Sequence, residues 1–313
     1  MDNRSSDIEV RDLTKSFGGL IAVDRLSFSV NRGEIFGLVG PDGAGKTTTM
    51  RMLAGIMKPD SGAITVAGCD VRADPESVKS RISYMPQRFG LYEDLTVDEN
   101  IRFYADLFGV TRRKREDRAG PLLAACGMAA FRKRLAGNLS GGMKQKLGLV
   151  CALIHTPRVL LLDEPTNGVD PVSRREFWAM LYSLLGQGVT ILNSTAYLDE
   201  AERCNRLALL HNGRLLFCDE PASLKARMPG AVLSIVTPEG RRLRDELRGA
   251  PGVTGTVLVG DAIHVFVDEA ERREREIRER LDADRVEYEE IAQVPPTIED
   301  LFVNATTGNR EAA

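Results

Sequence analysis

Histidine is scarce in this 313-residue chain, with only three, and five cysteines are scattered along it. Cys69, Cys126, Cys151, Cys204 and Cys218 form no C-x-x-C pair, and His155, His211 and His264 stand far apart. The ligand spacing of a structural zinc site and the framework of a disulfide-rich domain are therefore both missing. The thiols read as lone cysteines of a reducing cytosol. No run of 18 apolar residues occurs, which excludes a membrane-spanning helix. Met1 to Val10 is polar and acidic and lacks the apolar core of a secretory signal. An excess of charge is missing too: the net charge of −3 and pI near 5.8 argue against a general nucleic-acid binder. What remains is ordinary for a globular protein. Apolar residues make up 43% and charged residues 28%, enough for one large domain plus a smaller one.

Short β-runs at Ile8–Leu13, Leu26–Val30, Glu34–Val39 and Ala63–Val66 alternate with Gly and Asp clusters. A helix is expected from Lys46 to about Met57, and residues 71–155 read as mostly helical. Two apolar runs, Val159–Leu162 and Val189–Leu192, flank a helix from about Ser173 to Leu185. Apolar strands alternating with helices predict a parallel sheet covered on both faces. After Pro221 the composition changes. Strands are expected at 231–236, 253–259, 262–267 and 285–291, with helices at Arg241–Arg248 and Glu269–Leu281. That β-α-β-β-α-β order predicts a small ferredoxin-like α+β domain over 226–313. The basic stretch Arg112–Arg115 and the mixed-charge run Glu271–Arg280 read as solvated helix surface.

Gly40-Pro41-Asp42-Gly43-Ala44-Gly45-Lys46-Thr47-Thr48 fits G-x-x-x-x-G-K-[ST] between an apolar strand and a helix. Glycines let backbone N–H groups approach phosphates, and the helix N-terminus adds favourable partial charge. Lys46 is expected to reach the β- and γ-phosphates of ATP, and Thr47 to hold Mg²⁺. The strand Val159–Leu162 ends in Asp163 and Glu164, which suit a Mg²⁺ ligand and a general base for the attacking water.

Leu139-Ser140-Gly141-Gly142-Met143-Lys144-Gln145, just before that strand, resembles the signature motif of ABC (ATP-binding cassette) ATPases. The other motifs of the family follow in order over residues 8–220. Phe17 falls where an aromatic stacks on adenine. Gln87, in Tyr84-Met85-Pro86-Gln87, resembles the glutamine that senses Mg²⁺ and the membrane partner, and Asp170, in Asn167-Gly168-Val169-Asp170, resembles the aspartate at the dimer seam. The resemblance implies an α/β P-loop NTPase cassette over 1–225: a RecA-like parallel-sheet core, an antiparallel β subdomain and a helical subdomain at about 88–155. It also implies that Ser140, Gly141 and Gly142 cap ATP held by a second cassette, so that a dimer is required. One departure stands out: where the family places a histidine after Ser-Thr, this chain has Ala196. That position implies slow turnover at the chain's own site, and it favours a heterodimer over a homodimer.

The stretch Gln87–Gly109 and the terminal Pro296-Thr297-Ile298-Glu299-Asp300-Leu301-Phe302 look like ABC-2 exporter ATPases of the drug-resistance and multidrug-efflux type. That resemblance implies ABC-2 permease partners, a position on the cytoplasmic face of the inner membrane, and no nucleic-acid partner. Two alternatives stay open at this point: the ATPase of an importer, and a soluble translation-factor-like ABC protein. Thr297 and Asp300 are also spaced to cap a final helix.

Overall fold

A computed structural model describes residues 6–307, and the chain divides between Cys218 and Asp219 into two compact units. The first unit opens with a long hairpin, β1 (Ser6–Phe17) and β2 (Leu20–Asn31). Gly18 and Gly19, both at positive φ, make its turn. Then come β3 (Ile35–Val39), α1 (Lys46–Leu53), β4 (Ser61–Val66) and β5 (Cys69–Asp70). Strands β2-β1-β4-β5 form an antiparallel sheet.

Onward run α2 (Pro75–Arg81), β6 (Ile82–Met85), α3 (Val97–Leu107), α4 (Arg112–Ala125) and α5 (Gly141–Leu153). They are followed by β7 (Val159–Asp163), α6 (Pro171–Gly186), β8 (Thr190–Thr195), α7 (Leu198–Ala201), β9 (Arg206–His211) and β10 (Arg214–Asp219). A six-stranded sheet takes the order β10-β9-β3-β8-β7-β6, with β9, β3, β8, β7 and β6 mutually parallel. Every residue of β3, β7 and β8 is buried, as expected of strands covered on both faces. Because side chains alternate across a strand, each strand feeds two cores. Ile35, Leu160, Leu162 and Ile191 pack with Trp178, Leu147 and Ile101 on one side. Phe36, Leu38, Leu161 and Leu192 pack with Met50, Leu53 and the antiparallel sheet on the other.

The second unit comprises α8 (Pro221–Ala226), β11 (Ala231–Val236), α9 (Gly240–Leu247), β12 (Val253–Val259), β13 (Ala262–Val267), α10 (Ala270–Ala283), β14 (Glu290–Val294) and α11 (Ile298–Thr307). Its antiparallel sheet has the order β12-β13-β11-β14. Leu243 and Leu247 of α9 and Ile277 and Leu281 of α10 cover that sheet. Thr297 and Asp300 cap α11 reciprocally: Asp300 Oδ2 accepts from the Thr297 N–H at 2.8 Å, and Thr297 Oγ1 accepts from the Asp300 N–H at 3.1 Å.

The structure corrects several sequence-based boundaries. The stretch expected to be helical over 71–155 contains β6, whose mixed Ile-Ser-Tyr-Met sequence carries no clean periodicity. Strands β9 and β10 were not foreseen. The last strand, expected at 285–291, is Glu290–Val294. The helix expected to reach Met57 stops at Leu53. Among the described residues no helix is long and apolar enough to cross a membrane.

Candidate functional site

The loop between β3 and α1 leaves the sheet at the C-terminal end of a parallel strand, where open α/β sheets build their sites. Gly45 ends the loop at φ 98°, and a Cβ there would stand 2.4 Å from the Ala22 carbonyl oxygen. Only glycine fits, and α1 begins at the next residue. Lys46, 4% exposed, turns back under the loop. Its Nζ donates to the Gly40 and Pro41 carbonyls at 2.7 and 3.1 Å. It also lies 3.0 Å from Glu164 Oε1.

Strand β7 brings the carboxylates to this loop, and its neighbour β8 brings Ser194. Asp163 is buried at the end of β7, where Oδ1 accepts from Thr47 Oγ1 at 3.1 Å and Ser194 Oγ at 2.7 Å. The Tyr84 hydroxyl, delivered by β6, donates to Oδ2 at 3.1 Å. Burial, reinforced by the Asp163 charge, raises the Tyr84 phenol well above its ordinary value, so it stays a donor. Glu164 follows at φ 51°, a left-handed conformation uncommon outside glycine that re-aims the chain just past the strand. Its N–H donates to the Ser194 carbonyl and hydroxyl, both at 3.1 Å. Its Oε2 accepts from Gln87 Nε2 at 3.1 Å and from Asn167 Nδ2 at 3.3 Å.

One cavity of about 470 Å³ unites most of the residues singled out in the sequence. Phe17, the run Asp42–Thr48, Gln87 and Glu164 line it, together with Leu20, Ile21, Ala22 and Asn212. Phe17 is 44% exposed at the rim, with the Lys15 ammonium 5.5 Å from the centre of its ring. Gly40 and Pro41 take part through their carbonyls. Gln87 stands against Glu164, with Asp163 and Thr47 bonded to each other beside it. A smaller adjoining cavity of about 200 Å³ is lined by Asp42, Glu164, Thr166, Asn167, Thr195, Ala196 and Tyr197.

Ser140, Gly141, Gly142 and Asp170 do not line either cavity. They form a second cluster, where the N-termini of α5 and α6 meet. Ser140 Oγ accepts from the Met143 N–H at 3.3 Å and caps α5. Asp170 caps α6, accepting from the N–H groups of Val172 and Ser173 at 3.0 and 2.9 Å. Those bonds, with Ser173 foremost, hold the Asp170 carboxyl below its ordinary range. Gly142 is required by packing, since a Cβ there would come within 2.4 Å of Ser173 Oγ. Gly141 faces open space.

Sequence reasoning missed Tyr84, Ser194 and the role of Asn167. Tyr84 could be placed only once β6 was known to be a strand beside β7. Ser194 is adjacent to the Thr195-Ala196 position, and its hydroxyl links that segment to the Asp163 carboxylate and the Glu164 N–H.

A family model described as ABC transporter matches residues 23–167. The chain is 45% identical over 305 residues to the probable multidrug ABC transporter ATP-binding protein YbhF of Escherichia coli (strain K12), across 96% of this chain and 52% of that protein. It therefore spans about half the length of that relative. It is 38% identical over 301 residues to the Nod factor export ATP-binding protein I of Paraburkholderia xenovorans (strain LB400), across 96% of both. Among solved structures, an ATP-binding subunit of an ABC transporter superposes with a TM-score of 0.64 at 33% identity, covering 70% of this chain and 92% of that one. The cbiO1 protein of Clostridium perfringens, part of the cbiONQ transporter complex, shares the fold with a TM-score of 0.66 at 22% identity, over 79% of this chain and 96% of that one.

Proposed function

The chain belongs to the ABC transporter ATP-binding family, and from that premise we propose that it is the motor subunit of an ABC-2-type exporter, coupling ATP binding and hydrolysis to export of a drug or other small lipophilic compound. The observation that carries the reading is the convergence of Lys46, Thr47, Asp163, Gln87 and Glu164 around the C-terminal ends of β3, β7 and β6 of one parallel sheet. The relatives supply the direction of transport, since their names are those of a multidrug transporter and an exporter.

In this reading the backbone N–H groups of Gly43–Thr48 and the Lys46 ammonium cradle the phosphates, and Phe17 offers its ring to adenine. Glu164 accepts the proton of the attacking water. Gln87 and Asn167 hold that carboxylate in place, each donating to the same oxygen. Thr47 and Asp163 present a hydroxyl and a single carboxylate 3.1 Å apart. Among the described residues no group of three or more His, Cys, Asp or Glu side chains could hold a metal. So sparse an all-oxygen set fits Mg²⁺, which is bound by one or two protein ligands together with water and phosphate oxygens. Thr47 and Asp163 would hold it, with Gln87 as a further oxygen ligand, and when bound it neutralises phosphate charge.

Ser140–Gly142 and Asp170 belong to the face that meets a second cassette, where Gly141 is open and the α5 N-terminus points outward to a phosphate. Ala196 puts a methyl group where the family has an imidazole donor, so the chain's own site turns over slowly. We assign it to a heterodimer in which its Ser140 loop completes the partner cassette's site. ABC-2 permease subunits anchor the pair to the cytoplasmic face of the inner membrane. E164Q tests the chemistry: the variant is expected to keep its affinity for Mg·ATP and lose steady-state hydrolysis. An E164Q protein that hydrolyses ATP at the wild-type rate would remove Glu164 from the mechanism.

A further inference from the structure

The amide of Asn167 is bonded at both ends. Its Nδ2 donates to Glu164 Oε2 at 3.3 Å, and its Oδ1 accepts from the Tyr197 hydroxyl at 3.4 Å. Tyr197 follows Ala196 directly and lines the same 200 Å³ cavity as Ala196, Asn167 and Glu164. We infer that Tyr197 is a positioning residue for hydrolysis: acting through Asn167, it fixes the Glu164 carboxylate from the segment that lacks the family's histidine.

An asparagine amide can turn end for end with little change in shape. A carboxylate accepts and never donates, so only the NH₂ end of Asn167 can face Glu164. A tyrosine hydroxyl can donate or accept; with the NH₂ end committed to Glu164, it donates to Oδ1 and ties down the far end of the amide. The phenol therefore removes the freedom of Asn167 to swing away from the base.

Beyond its bond to Asn167, Tyr197 is held from two directions. The Arg174 guanidinium lies over its ring at 4.3 Å. Arg174 is in turn held by Asp199 and by the fully buried Glu200, each at 3.6 Å. Glu200 Oε1 accepts from Thr166 Oγ1 at 2.7 Å, and Thr166 is the residue before Asn167. The Tyr197 N–H donates to Thr195 Oγ1 at 3.0 Å. The Thr166–Asn167 loop and the Thr195–Glu200 segment are thus joined twice, once through Glu200 and once through Tyr197. Only the second link ends on the base. A packing role for the ring needs no hydroxyl, and the hydroxyl makes its bond to Asn167, so the two roles separate chemically.

This inference rests on the assignment of Glu164 as base, and the experiment separates the two. Turnover of Mg·ATP is compared in wild type, Y197F, N167A and the Y197F/N167A double variant, with E164Q as the blank. Y197F is expected to lower kcat by about 2- to 10-fold, the worth of one neutral hydrogen bond, with KM unchanged. In the N167A background the same substitution is expected to change nothing, because the hydroxyl has lost the group through which it acts. A Y197F protein with wild-type kcat, or one that loses the same factor with or without Asn167, overturns the role of Tyr197 while leaving Glu164 as base. A wild type no faster than E164Q overturns the assignment of Glu164 and this inference with it.

Discussion

On the proposed reading, Ala196 limits turnover at the chain's own site. Its methyl group borders the 200 Å³ cavity beside Glu164 and Asp42 and can donate no hydrogen bond. One preorganised donor to developing charge is worth on the order of 10²–10³ in rate. The cavity leaves room for a larger side chain at this position. A196H in the purified chain is therefore expected to raise ATP turnover by tens of fold at saturating Mg·ATP, read as phosphate release against wild type. Fast hydrolysis by wild type alone, with no gain from A196H, would contradict the asymmetric pair. Tyr197 bounds the size of the gain, since part of the positioning of Glu164 is already supplied through Asn167.

At the scale of elements, the site depends on which strands are neighbours. Thr47, Asp163 and Ser194 come from the ends of α1, β7 and β8, and only the parallel order β3-β8-β7-β6 brings them together. The buried strands were readable because β7 and β8 are apolar runs too short for helices, and the loop Gly40–Thr48 was readable from its glycines and Lys46. Tyr84 was not, because Ile82–Met85 mixes apolar and polar residues in four positions and is identified only by pairing with β7. The last strand slipped from 285–291 to Glu290–Val294 for a related reason. Val286 and Tyr288 supply an alternating pattern, and Val286 is buried, yet the residues from 285 to 289 carry no ladder. The capped α11 was legible from Thr297 and Asp300. Its buried partner His264 was not, since it comes from β13, far away in sequence, and its Nδ1 lies 2.9 Å from Asp300 Oδ1.

That cap carries a stability prediction. Burial pushes the Asp300 carboxyl up, but its hydrogen bonds with His264 and Thr297 outweigh burial and leave it below the ordinary aspartate value. A group depressed in the folded state stabilises above its unfolded pKa, and the contribution is lost as pH falls through the folded value. D300N is expected to cost about 1–2 kcal/mol at neutral pH. Its melting temperature should also fall less steeply than that of wild type as the solution is acidified below pH 4. Thermal melts of the full chain across that range check both, and parallel pH profiles for the two proteins would contradict the role of the carboxylate.

For the whole molecule, the two clusters of the first unit divide the labour. In the proposed reading, Lys46 and Glu164, which line the larger cavity, and the adjoining Asp163 form one half-site. Ser140, Gly142 and Asp170 form another at the meeting of α5 and α6, and its residues do not border that cavity. On this reading a single copy completes neither site, whereas two copies, or one copy with a partner cassette, can, which is the physical argument for a second cassette.

The account stands on the first half-site being a nucleotide site. Titration of the purified chain with Mg·ATP, followed by a direct binding readout and repeated with K46A, tests this without any dependence on turnover, partner or transported compound. Saturable binding by wild type, weakened at least about tenfold in K46A by loss of the buried ammonium, or 1.4 kcal/mol, is the predicted result. Equal affinity in the two proteins would contradict it.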